Sequence, residues 1–138
     1  MGVEQREYER FGQEFPISYD IVQYSVPNPL PDPKKSGTSQ NISGGGICLL
    51  TAPMSIFAVR KLLSKKTKFS LEFYLPDYQH KINVLGEARW SSMNLSWWHL
   101  FPKRWALGIK FIKMNTNDKD LIIKYVINKQ IETNLVKK

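Results

Sequence analysis

The chain has 138 residues, 42% of them hydrophobic and 23% charged, with 20 Lys and Arg against 12 Asp and Glu for a formal net charge of +8. That length and balance describe one soluble globular domain with a core of its own. A single cysteine, Cys48, excludes an intramolecular disulfide, and no apolar run nears the ~18 residues that a membrane helix needs. The first dozen residues are polar, lack the apolar centre of a secretory signal, and carry Arg6 where a myristoylation pattern needs Ser or Thr. They read as a loosely ordered arm, residues 1–14, ahead of a single domain over 15–138, and the expected location is the cytoplasm.

From Phe15 the pattern has a period of two, with Phe15, Ile17, Tyr19 and Ile21 on one side, which predicts a half-buried strand. Residues 26–37, "VPNPLPDPKKSG", contain four prolines and predict a long exposed loop closed by Gly37. The stretch "SQNISGGGICLL", residues 39–50, turns through three glycines into a short strand. Residues 55–65 change to helical spacing, with Ile56, Val59 and Leu63 on one face and Ser55 as N-cap. "KFSLEFYLP" returns to alternation through Phe69, Leu71, Phe73 and Leu75. "HKINVLGEARWSS" is a further strand, in which Gly86 allows close backbone approach. On it Trp90 shares a face with Val84 and Ala88, while Glu87 and Arg89 take the other. "RWALGIKFIK" is the last strand, with Trp105, Leu107, Ile109 and Phe111 on one face. The tail from residue 115 predicts a helix capped by Thr116 or Asn117, with Leu121, Ile122, Tyr125 and Val126 as its apolar stripe. Short strands at near-regular spacing, with one inserted helix and one terminal helix, predict a small closed antiparallel β-barrel.

Signals for catalysis are sparse. His80 and His99 stand alone, one cysteine cannot complete a recognisable metal-ligand spacing, and neither a nucleophile elbow nor a Walker-type loop is present. The composition points to a binder rather than an enzyme, and its positive surplus points to anionic partners. Aromatics interleaved with Lys and Arg along one face, as single-stranded nucleic acid binding requires, are not evident. Two short patterns stand out. "REYER" places Arg6 and Arg10 four apart, so their guanidiniums reach one side in a helix or in an extended segment, and arginine forks suit phosphate oxygens and the guanine edge. Asn41, Ser43 and Gly46 form Asn-x-Ser-x-x-Gly, an amide and a hydroxyl two residues apart beside a tight turn.

In this order, the two patterns resemble those of the PilZ domain family, receptors for the bacterial second messenger cyclic di-GMP. "REYERFGQEFPISYDI" is similar to the family's arm and first strand, "NISGGGICLLT" to its second motif, "GEARW" to its penultimate strand, and "GIKFIKMNTNDKDLIIKYV" to its closing strand and helix. The resemblance implies a mainly β fold, a six-stranded antiparallel barrel with a C-terminal helix. It implies that Arg6 and Arg10 hold phosphates and guanine edges, that Asn41, Ser43 and Gly46 wrap one guanine, and that Trp90 is a further stacking candidate. No cofactor is expected beyond the ligand cyclic di-GMP, and no metal. A downstream protein partner is expected, and polymeric nucleic acid is not. Asn41 departs from the family's charged option, since an amide offers one acceptor where a carboxylate offers two. An alternative is a PilZ-like adaptor that acts through protein contact without nucleotide, motivated by the insertion over 91–105, whose Trp97, Trp98, Leu100 and Phe101 are candidates for a protein-docking patch or a membrane-surface contact.

Overall fold

The computed structural model describes residues 10–11, 14–22, 33–91 and 104–136, with side chains for 14–22, 33–91 and 104–132. Arg6 and the rest of the arm apart from Arg10, Phe11 and Glu14, most of the proline-rich stretch and the Trp97-Trp98 insertion lie outside the described residues. The element order is β1 (Arg10–Phe11), β2 (Pro16–Val22), β3 (Lys35–Ser43), β4 (Gly46–Leu50), α1 (Ile56–Ser64), β5 (Lys68–Tyr74), β6 (Lys81–Ser91), β7 (Ala106–Met114) and α2 (Thr116–Val136).

Every pairing is antiparallel, in the order β3-β2-β5-β6-β7-β4, and β4 pairs back onto β3 to close the ring. Closure leaves these six strands no free edge. β1 runs along the same edge of β3 as β2, with Arg10 opposite Ser43 and Phe11 opposite Ile42, while Pro16 lies opposite Thr38. The segment expected to be a loose arm is therefore paired to the barrel at Arg10–Phe11.

Alternation fills the interior as the sequence predicts. Phe15, Ile17 and Tyr19 from the β2 segment, Phe69, Leu71 and Phe73 from β5, and Leu107 and Ile109 from β7 belong to one buried cluster. The Tyr19 hydroxyl accepts a 2.8 Å hydrogen bond from the Ala52 backbone N–H, so the polar tip of a buried ring is satisfied. Trp105 is likewise fully buried, and its indole N–H donates to the Met54 carbonyl at 2.8 Å.

Four expectations change. Gly37 does not close a loop: it lies inside β3, where an added Cβ would come within 2.6 Å of the Leu50 carbonyl oxygen and 2.8 Å of Leu49 Cδ1. The inserted helix has Ser55 at its N-cap, accepting from the Ala58 N–H at 3.2 Å, but Leu62 rather than Leu63 completes its buried face with Ile56 and Val59. The cap of α2 is Asn115, whose side-chain oxygen accepts from the Asn117 N–H at 2.8 Å, and not Thr116 or Asn117. His80 is not isolated, because its Nε2 lies 2.6 Å from Asp118 Oδ1 and ties the turn before β6 to the first turn of α2. Ile122, Tyr125 and Val126 then dock α2 onto the core, and the helix packs against β3 and β1.

Candidate functional site

The Asn-x-Ser-x-x-Gly pattern is the β3–β4 hairpin. Ile42 pairs with Ile47, and Ser43 to Gly46 make the turn. The Ser43 hydroxyl holds that turn, accepting from the Gly45 N–H at 3.2 Å and reaching the Gly46 carbonyl at 3.4 Å. β7 holds it from the other side, through the Phe111 N–H donating to the Gly45 carbonyl at 2.9 Å. Gly46 is fixed by packing: an added Cβ would sit 2.5 Å from the Ile109 carbonyl oxygen. The missing side chain is thus required by the β4–β7 contact itself.

A bulge in β3 decides which way this motif faces. The register shifts between Ser39 and Asn41, so one extra residue stands in β3. Gly37 and Ser39 are buried on the inner face before the bulge, and Ile42 is fully buried after it. Uninterrupted alternation from Ser39 would put Asn41 and Ser43 inside; with the extra residue they flank Ile42 on the outer face. Asn41 is half-buried, and among the described residues its amide has no hydrogen-bond partner.

A second bulge, in β6, redirects Trp90. The register of β6 on β7 shifts between Ala88 and Trp90. Ala88 is fully buried but Trp90 is 39% exposed, which corrects the expected shared face: Trp90 stands outside the barrel. Its indole lies over Gly108, where Cε2, Nε1 and Cδ2 fill the space that a Cβ would need. Arg89 is exposed as well, so the two side chains need not exclude one another from the outer face.

Register then assembles these pieces into two adjacent rows across the outside of the barrel. One row runs Asn41, Cys48, Gly108, Trp90 through β3, β4, β7 and β6. The next runs Gly46, Lys110, Glu87, Lys68 through β4, β7, β6 and β5. The middle of the patch is low, because Gly46, Cys48 and Gly108 carry little or no side chain. The Cys48 thiol is buried against the barrel wall and donates to Gln40 Oε1 at 3.6 Å. Because the indole already overlies β7, only about two strand spacings, roughly 10 Å, separate it from Asn41. Glu87 is buried and ion-paired, with Arg89 at 2.8 Å and Lys68 at 3.7 Å. The backbone of β1 borders the same patch, with the Arg10 Cα as the cross-strand partner of Ser43 at a spacing of about 5 Å. The structure brings Arg10, Ser43, Gly46, Asn41 and Trp90 to one flank; the two bulges that achieve this leave no signature in the alternation of the sequence.

Among the described residues, no group of three or more His, Cys, Asp and Glu side chains is placed to hold a metal ion, and no helix is long and apolar enough to cross a membrane. The fold is thus a closed antiparallel barrel with a small-residue shelf on its outside. The PilZ domain model matches residues 4–128, and the chain belongs to that family of binding domains for cyclic di-GMP. No curated protein matches the sequence. Among solved structures, Bacillus subtilis inhibitor of motility (MotI/DgrA) is similar in fold, with a TM-score of 0.63 and 16% identity over 94% of this chain and 53% of that one. This chain therefore spans about half the length of that protein.

Proposed function

We propose that this chain is a cyclic di-GMP receptor and effector whose ligand lies on the outer face of the barrel, over the β3–β4 hairpin. In this reading Asn41 offers its amide to a guanine edge, the hairpin around Ser43 and Gly46 bounds that base, and the Trp90 indole supplies a stacking face beyond it. Arg6 and Arg10 bring guanidinium forks to phosphate oxygens and to the O6 and N7 edge of guanine. The observation that carries the proposal is the β1–β3 pairing, which sets Arg10 opposite Ser43 and so joins two patterns some thirty residues apart in the chain. Ligand binding then bears on the segment before β2, and α2, which packs on both β1 and β3, conveys the change to a protein partner.

Isothermal titration calorimetry with cyclic di-GMP tests this. Arg10→Ala should lose a charge-assisted hydrogen bond worth about 1.5–3 kcal/mol, a loss of roughly ten- to hundredfold in affinity. Unchanged affinity removes Arg10 from the site, and a parent chain that binds nothing removes the function.

A further inference from the structure

Resting on that reading, we infer that Lys110 is a second cationic anchor of the ligand site, meeting a phosphate of the cyclic dinucleotide from the β7 side, opposite the arginine arm. Lys110 is exposed on β7 and is the direct cross-strand partner of Gly46 on one side and of Glu87 on the other. Leu107 and Ile109, which alternate with Gly108 and Lys110 along β7, are in the core, so strand alternation sends Lys110 and Gly108 outward together. Lys68 and Arg89 already hold the Glu87 carboxylate, at 3.7 and 2.8 Å, and Lys110 is a third cation on the adjoining strand. Lys110 has no ion-pair partner among the described residues. Because Gly46 has no side chain, nothing on β4 separates the Lys110 stem from the hairpin that holds Ser43. An ammonium on a flexible stem beside a low shelf, with a half-exposed indole one row away, suits an anion that carries a ring system.

The test is calorimetry with cyclic di-GMP at two salt concentrations on the full chain and on Lys110→Gln, Lys110→Arg, Arg10→Ala and Lys81→Gln, with thermal melting to confirm folding. Lys81 is a control for bulk charge: it lies six residues from Glu87 on β6, roughly 20 Å away and beyond the ~8 Å screening length at physiological salt. Lys110→Gln should weaken binding roughly tenfold and make it less sensitive to salt, Lys110→Arg should restore most of the affinity, and Lys81→Gln should stay within about twofold of the parent. If Arg10→Ala weakens binding while Lys110→Gln leaves affinity and salt dependence as in the parent, the inference fails and the receptor reading stands. An equal loss in Lys81→Gln would likewise overturn it, as a general charge effect. A parent chain without affinity for cyclic di-GMP overturns both.

Discussion

At the scale of single residues, two glycines carry the shape of the outer patch. Gly46 sits so close to β7 that a methyl group would meet the Ile109 carbonyl at 2.5 Å, and backbone cannot give way as a side-chain tip can. Gly46→Ala should therefore destabilise the barrel by about 1–3 kcal/mol, read as a lower urea midpoint at unchanged slope. Gly108 differs, because what an added methyl meets is the Trp90 ring, a side chain already 39% exposed that has room to move. Gly108→Ala should leave the melting temperature nearly unchanged while shifting Trp90 into water, seen as a red shift in emission against Trp90→Phe as reference. The contrast also shows what a sequence conveys about a site. That Asn41, Ser43 and Gly46 lie at one turn is legible from their spacing, and so is a close approach at Gly86, whose Cβ position is taken by Ile109 Cγ2. That Trp90 faces out is not, because the extra residue between Ala88 and Trp90 is visible only against the register of β7.

At the scale of elements, strand periodicity is a strong signal wherever one face is buried and the other wet. β5 shows it, with Phe69, Leu71 and Phe73 buried along one face, although Ser70 on the other face is covered too. Helix boundaries carry a weaker one, since several polar residues in a row can each serve as the cap. The run Asn115, Thr116, Asn117, Asp118 offers such a choice, and the structure selects Asn115, while Asp118 pairs with His80. Asn115→Ala should cost about 1 kcal/mol of stability, whereas Thr116→Ala should cost only a few tenths, and parallel urea titrations separate the two. The bulges belong to this scale too. Each adds one residue to one strand of a pair, and together they turn Asn41, Ser43 and Trp90 to the outside without disturbing the buried rows beneath them.

At the scale of the whole molecule, α2 ties the end of the chain to the turn between β5 and β6 and to the β1–β3 edge that carries the hairpin. Tyr125 is the centre of that contact: it is 1% exposed, packs edge-on against Tyr78 with ring centroids 6.1 Å apart, and has Lys129 over its ring at 5.9 Å. Burial, reinforced by the electrostatic influence of Asp77, Tyr78 and Glu132, pushes its phenol up from 10.0 to about 12. The folded state thus keeps the Tyr125 proton over a range of pH in which the unfolded chain gives it up. The contribution of the neutral phenol is fully present below pH 10.0, and is lost progressively as the pH rises from there to about 12. Urea titrations at pH 9 and at pH 11 should show the parent losing stability between the two, and Tyr125→Phe, which has no phenol to ionise, losing distinctly less. Comparing the two proteins at the same pH values cancels the titration of the other tyrosines and of the lysines. An equal decline in both would mean that the α2 contact does not sense this proton, and that alkaline unfolding begins elsewhere in the barrel.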